Sequence, residues 1–202
     1  MNTFQQIKNE FIEHKRLFVF MHLLFWLVFI IGIIVAIVNP QVLLDAVQRI
    51  HNSGFAKWIA GIYKGNNVAL ALFLTFFINL FVVCILTISI PSFFVSGLGV
   101  ILGLSLAYKW GSHFLDPSQK IAGIPYYMFH LIVDLLEGEA YILAMIAGLR
   151  VNSDIFHLKA WITSRRMWAK VNFGYYKAIM IVLFISAIVE VSGVKIYLWF
   201  AK

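Results

Sequence analysis

Five long apolar runs divide the chain, and shorter polar segments lie between them. A helix that crosses a membrane needs about 20 mostly apolar residues, so runs of this kind predict transmembrane helices. We therefore predict an all-α polytopic transmembrane helix bundle with about five spans, in which residues 1–202 form a single integral membrane domain. The predicted spans are residues 17–38, 68–90, 92–108, 121–149 and 178–200.

The second and third spans are separated by Pro91 alone. One straight helix over residues 68–108 would be about 60 Å long, roughly twice the hydrocarbon thickness of a bilayer, so we predict a helical hairpin that turns at Pro91. Gly99 and Gly103 stand four residues apart in the third span. Small residues at this spacing let helix backbones approach closely, and they predict a helix-packing face.

Two further segments predict amphipathic helices at the membrane surface. In residues 41–64, apolar side chains recur with helical spacing among polar ones, which suits either an interfacial helix or a loop helix packed on the spans. Residues 153–170 are basic and contain tryptophans, a combination typical of the membrane interface. The interfacial basic residues predicted there are Arg165, Arg166 and Lys170.

The composition agrees with a membrane protein and excludes other classes. Hydrophobic residues make up 62% of the chain and charged residues 12%, whereas soluble domains have about 45–50% and about 25%. This composition excludes an ordinary soluble domain, a disordered chain and a fibrous repeat. The single cysteine, Cys84, excludes an intrachain disulfide.

The positive charge is best explained by membrane topology. The formal net charge is +7, and lysines and arginines lie between the apolar spans, where they orient the helices. We therefore predict the lipid bilayer, and no nucleic acid, as a partner. Basic residues are most frequent in residues 1–16 and 150–177, which predicts a multi-pass cell-membrane protein with a cytoplasmic N-terminus and an external C-terminus.

The fourth apolar run is unusual because it carries ionisable residues. At 100° per residue, His130, Asp134, Glu137 and Tyr141 share one face of a helix within about 60°, and Glu139 lies on the opposite side. A charge at the bilayer centre costs about 2.5–3.5 kcal/mol on an insertion scale, so such residues are expected to face a protein interior, a cavity or a partner. The candidate partners of this face are Thr75, Asn79, Glu139 and Glu190.

Four interpretations of this polar face stay open. Histidine and carboxylates can pass protons, which favours a channel, transporter or proton relay. His130, Asp134 and Glu137 are also neighbours on a helix, as metal ligands would be, but one helix rarely completes a metal site. An intramembrane hydrolase would use Glu137 and Glu139 with His130, and it would need a further partner, for which His22 in the first span is available. The fourth interpretation, which we favour, is a buried polar cluster that fixes helix packing or assembly, with no enzyme activity, metal or cofactor.

The length of the fourth run leaves its geometry open as well. Residues 121–149 are too many for one untilted span. A helix that breaks or re-enters at Gly138 is one solution, and it would need a protein-lined cavity for its exposed backbone. A tilted helix that begins near Pro125 is more economical.

Three features make residues 65–150 resemble the stage II sporulation protein M family of polytopic membrane proteins. Asn66-Asn67 precedes the long apolar hairpin that begins VALALFLTFFINL, and glycines follow in the next run. A histidine, an acid and small residues then succeed one another in the fourth run. The usual proline-histidine-glycine tripeptide is replaced by Phe129-His130-Leu131, so His130 pairs with either Asp134 or Glu137 as the acid. The glycines are Gly97, Gly99 and Gly103, and the acid and small residues are Glu137, Ala140, Ala144 and Gly148.

The resemblance implies a role in assembly. The sporulation member of the family belongs to a membrane complex that localises peptidoglycan-degrading enzymes during engulfment, and the family brings no enzymatic residues. We therefore predict a non-enzymatic scaffold or assembly component of a membrane complex. Its expected partners are further copies of the chain and other membrane or envelope proteins.

Overall fold

The computed structural model describes most of the helical core of the chain. The described backbone comprises residues 15–41, 44–45, 48, 52–95, 97–114, 123–155 and 158–200, together with the single residues 5 and 12. Within those ranges, the side chains of residues 93, 123–126, 150–173, 197 and 199–200 lie outside the description. The predicted interfacial residues Arg165, Arg166 and Lys170 belong to this last group.

All regular structure in the described residues is helical, so the all-α prediction is confirmed for that part of the chain. The helix Gly54–Lys64 begins after Ser53, whose hydroxyl accepts a hydrogen bond from the amide of Ala56. The helix Val68–Phe77 begins after Asn67, whose side chain accepts one from the amide of Leu70. Serine and asparagine are favoured at this position because their side chains satisfy amides that lack a helical partner. The elements are α1 Lys15–Val38, α2 Gly54–Lys64, α3 Val68–Phe77, a π-helical segment Ile78–Ser89, α4 Ile90–Phe94, α5 Leu98–His113, α6 Gly123–Ile155 and α7 Leu158–Phe200.

Three helical stretches in the described residues are long and apolar enough to cross a membrane: Lys15–Val38, Val68–Ser92 and Gly174–Ile196. They confirm the class of helical membrane protein. The two other predicted spans have a different character. Helix α5 has only 16 residues, and the middle of α6 carries three carboxyl groups.

The sequence predicted that the hairpin between the second and third runs turns at Pro91, but the structure has no turn at that residue. The helical rod continues to Phe94, and the chain reverses next to Gly97, whose φ of 80° is a conformation that glycine adopts easily. Pro91 stands in the first turn of α4, a position at which proline is tolerated in helices. Two nearby hydroxyls bond to carbonyls of the same rod. Ser89 donates to the carbonyl of Cys84 at 2.8 Å, and Ser92 donates to that of Ile88 at 3.0 Å.

Helices α6 and α7 are longer than the sequence analysis predicted. Helix α6 continues without interruption through Gly138, so it is not broken or re-entrant there. Helix α7 joins most of the predicted interfacial segment 153–170 to the last apolar run in one helix of 43 residues. The change from basic to apolar residues therefore marks no break in the backbone, and residues 158–200 contain no proline that would interrupt the helix.

The bundle is built from two closely packed helix pairs, α6 with α7 and α1 with α5. Its core contains Phe25 of α1, Tyr141 and Met145 of α6, and Ile179 of α7. The π-helical segment packs against this core through Cys84 and Ile88. Of the predicted amphipathic helix over residues 41–64, the structure describes α2, which has no fully buried residue and lies beside α3 and α7.

Glycines allow close approach at several crossings. A Cβ atom on Gly111 of α5 would overlap the carbonyl oxygen of Phe29, and one on Gly32 of α1 would overlap that of Tyr108. The sequence analysis did not identify this crossing. Of the two predicted packing glycines, Gly99 lies against the carbonyl of Ile88 and Gly103 lies against Met145 of α6.

Candidate functional site

Glu137 lies at the centre of a buried polar group that joins three helical segments. The Asn79 amide donates a hydrogen bond to one carboxyl oxygen of Glu137, and the Tyr141 hydroxyl donates to Asn79 Oδ1 at 2.7 Å. Tyr141 Oη also lies 3.4 Å from the second Glu137 oxygen, and Ser186 Oγ lies 3.4 Å from the first. We call Asn79, Glu137, Tyr141 and Ser186 the interior cluster.

A second group of polar side chains attaches α2 to the bundle. The Tyr63 hydroxyl donates to Glu190 Oε1 at 2.9 Å and also shares a hydrogen bond with Thr75. Since the Tyr63 proton points to Glu190, Thr75 is the donor in that second bond. The Lys195 ammonium donates to the carbonyls of Tyr63, at 2.8 Å, and Gly65.

The Tyr63 phenol stays neutral in this position. Burial raises its pKa, and the negative charge of Glu190 raises it further. A neutral phenol keeps its proton at physiological pH, so Tyr63 remains a hydrogen-bond donor to Glu190. The contact therefore couples the end of α2 to α7.

Two cavities share a wall that includes Glu190. The smaller one has a volume of about 260 Å³ and is lined by Glu137, Asn79 and Thr75 among others. The larger one has a volume of about 720 Å³, and His130 is among its lining residues. The residues that line both cavities are Phe55, Ile59, Tyr63, Trp110 and Glu190.

The remaining members of the predicted polar face lie outside the interior cluster. Asp134 and His130 are half-buried on α6. His130 lines the larger cavity, whereas Asp134 lines neither of the two cavities. The predicted face is thus divided between a hydrogen-bonded part, Glu137 with Tyr141, and these two half-buried residues.

Glu139 does not join this face, although it was a candidate partner of it. Its carboxylate lies 2.7 Å from Nε2 of His22 on α1, and we call these two residues the outer pair. Nδ1 of His22 lies 2.7 Å from the carbonyl of Phe18, so it must donate there. The remaining proton lies between Nε2 and Glu139. The side chains are 30% exposed for His22 and 44% for Glu139, which places the pair on the outside of the bundle.

Three contributions were missing from the sequence analysis. Tyr63 was treated only as part of an amphipathic segment, and Ser186 was not considered. Ser186 stands four residues before Glu190, so a polar face on α7 could have been recognised from helical spacing. His22 was considered only as a hydrolase residue, and no periodicity within one helix could have paired it with Glu139.

The arrangement of these side chains is suited to two roles. The interior cluster can hold three helices together through hydrogen bonds, and Glu137 and Glu190, which both line the smaller cavity, carry carboxyl groups of the kind that can bind and release protons. In the described residues, no group of three potential ligands is arranged to hold a metal ion. Glu137 and Glu139, the proposed acids of a hydrolase, point to opposite sides of α6.

Comparisons of the chain with family models, with curated proteins and with solved structures return no match. We therefore infer the function from the contacts of the interior cluster, the outer pair and the two cavities.

Proposed function

We propose that this chain is a non-enzymatic, multi-pass protein of the cell membrane that acts as a scaffold or assembly component of a membrane complex. It works as a homo-oligomer and binds other membrane or envelope proteins. This role is similar to the one implied by the resemblance to the stage II sporulation protein M family. The observation that carries the proposal is the outer pair.

The outer pair is an ionisable contact on a surface that is otherwise apolar. His22 is the eighth residue of α1, about 10 Å from its start at 1.5 Å per residue. Its neighbours Leu23 and Leu27 are more than half exposed, as lipid-facing residues are. Polar groups exposed to hydrocarbon are costly, and in membrane bundles they face other helices. A second protein surface over His22 and Glu139 removes that cost.

The interior cluster supports the same role in a different way. Glu137 has three neighbours that can donate to it, from the π-helical segment, α6 and α7. Such contacts fix how the helices pack, and they supply a rigid body on which partners can assemble. The cluster thus has a structural explanation that requires no substrate.

The proposal includes a membrane topology. We place five helices across the bilayer, with α5 and α6 added to the three apolar stretches. The basic residues in 1–16 and 150–177 then lie in the cytoplasm, and the C-terminus lies outside. Reporter fusions at both ends should give opposite signals, and identical signals would contradict an odd number of spans.

Mass measurement in mild detergent tests the assembly role. We expect the wild-type protein to purify as an oligomer. The double variant His22→Phe with Glu139→Leu replaces the outer pair by apolar side chains, which removes the need for a covering surface. We expect this variant to be a folded monomer.

The matched control is Ile181→Ala, which changes a side chain that is 62% exposed on α7 without changing any polar contact. It should keep the wild-type mass. If the double variant also keeps the wild-type mass and partners, the outer pair does not mediate assembly and the proposal fails.

A channel or transporter is the second candidate, and the two cavities favour it. Glu190 lines both cavities, Glu137 lines the smaller one and His130 lines the larger one. A proton relay through these groups requires that they titrate. Proton or ion flux in liposomes that is abolished by Glu137→Gln, with the oligomer intact, would replace the assembly proposal by transport.

A further inference from the structure

The larger cavity is a built pocket that the assembly role leaves unexplained. Its volume of about 720 Å³ lies in the range of small-molecule sites, about 300–1,000 Å³. Helix α2 forms one wall through Phe55 and Ile59, and the bundle forms the others. Helix α2 has no fully buried residue, and Tyr63 joins its C-terminal end to the bundle.

The lining combines aromatic rings with one deep carboxyl group. Phe55, Tyr63, Trp110 and Phe129 supply the rings, and Glu190 supplies the carboxyl group. Aromatic faces attract organic cations within about 6 Å, most strongly where water is excluded. Apolar walls with a few convergent polar groups are typical of sites that orient a small molecule.

The cavity offers a carboxyl group to a cation. Glu190 lines both cavities, and Glu137 lines the smaller one. A carboxyl group in apolar surroundings ionises more readily beside a positive charge. Lys195 is committed to the carbonyls of Tyr63 and Gly65, and Lys64 is exposed at the rim.

We propose that the larger cavity binds a lipophilic organic cation, with the positive charge beside Glu190 and the apolar part against Trp110 and Phe129. An inorganic divalent ion fits less well, because the described residues contain no set of three metal ligands there. The apolar walls also suit a small organic molecule better than a hydrated ion. The inference goes beyond the assembly role, and it does not depend on the oligomeric state.

Tetraphenylphosphonium is the probe, since its charge is permanent and its surface is apolar. Equilibrium binding of the radiolabelled cation to purified protein in mild detergent should be saturable. Tetraphenylborate has nearly the same shape and the opposite charge. Because the two ions associate as a salt, its binding is measured in a separate sample, where it should not be saturable. Absence of saturable binding of tetraphenylphosphonium, or equally tight binding of tetraphenylborate, would overturn the proposal by showing partition into the micelle or an apolar site without charge preference.

Glu190→Gln tests the role of the carboxyl group. The amide still accepts from Tyr63 but has no charge, so we expect affinity to fall at least about tenfold, equivalent to about 1.4 kcal/mol. Asp45→Asn is the matched control, because it neutralises an exposed carboxyl group that does not line the cavity, and it should bind as the wild type does. Wild-type affinity in folded Glu190→Gln would overturn the proposal, as would an equal loss in both variants.

Val194→Trp provides an independent variant if Glu190→Gln does not fold. Val194 lines the cavity, and a larger side chain there fills the space while the carboxyl group is kept. We expect saturable binding to be lost. Wild-type binding by this variant would show that the cation binds elsewhere, and the proposal would then be wrong.

Discussion

Glu137 and Glu139 are two residues apart on the same helix and lie in opposite surroundings. Glu137 is 6% exposed and is surrounded by neutral donors from Asn79, Tyr141 and Ser186. Glu139 is close to half exposed and has one partner, the imidazole of His22. The difference shows that the role of a carboxyl group in an apolar segment depends on its neighbours. With buried donors around it, the group stabilises helix packing, and on the outside of the bundle it belongs to an interaction surface.

Substitutions of Glu137 and Glu139 should therefore have different effects on the protein. Removal of Glu137 leaves a buried donor without an acceptor, which is expensive in an apolar interior. Removal of Glu139 leaves a half-exposed imidazole that keeps its bond to the carbonyl of Phe18. Folding should depend on the first residue and assembly on the second.

The largest effect is expected for Glu137→Leu. The Asn79 amide loses its acceptor, and the bundle should lose about 2–3 kcal/mol of stability, the usual cost of an unsatisfied buried polar group. Unfolding in mixed detergent and dodecyl sulfate micelles measures the change. A variant as stable as the wild type would show that the interior cluster does not hold the helices together.

Tyr63→Phe should have a smaller and more local effect. It removes the donor to Glu190 at the end of α2, and a hydrogen bond of this kind contributes about 1 kcal/mol. We expect faster hydrogen exchange in α2 and unchanged exchange in α6. Equally faster hydrogen exchange in both helices would contradict a local attachment. It would mean that the polar contacts of Tyr63 and those of the interior cluster act as one group.

Glu139→Leu should change stability by about 1 kcal/mol or less, because partly exposed ion pairs contribute little. Its effect should be seen in the oligomer, whose mass in mild detergent is expected to fall. Comparison with Glu137→Leu makes the test specific. If both variants lose stability equally and neither changes the mass of the folded fraction, the contrast between the interior cluster and the outer pair is not real.

The smallest effect is expected for Glu137→Gln. The amide keeps the size and most hydrogen-bonding capacity of the carboxyl group, and polar contacts between membrane helices average only about 0.6 kcal/mol. Folding and oligomer mass should be near those of the wild type. A loss as large as that of Glu137→Leu would mean that the charge of Glu137, and not its hydrogen bonds, is what the bundle requires.

Much of the local structure could be predicted from helical periodicity. The 100° rotation per residue placed Glu137 and Tyr141 on one side of α6 and Glu139 on the other, as the structure has them. The composition of the apolar runs gave the helical membrane class. These properties depend on neighbours along one helix, which the sequence displays directly.

The contacts between helices could not be predicted in the same way. Gly32 and Gly111 lie in different runs, and nothing in either run indicates that their backbones meet. The outer pair is separated by 117 residues along the chain. The hairpin was misplaced because proline was taken as a stop, whereas the hydroxyls of Ser89 and Ser92 bond to nearby carbonyls of the rod that carries it.

The length of α7 has a mechanical consequence. The helix continues N-terminal to its apolar part, Gly174–Ile196, through residues 158–173, which add about 24 Å at 1.5 Å per residue. A tilt of α7 by about 10° about residue 174 would move its N-terminal end by about 4 Å over that length. Residues 158 and 190 are equally far from residue 174 along the helix, so Glu190 would move by a similar distance in the opposite direction. Spin labels at residues 64 and 160 would detect this tilt as a change in distance when the cavity beside Glu190 is filled, and an unchanged distance would mean that α7 does not tilt.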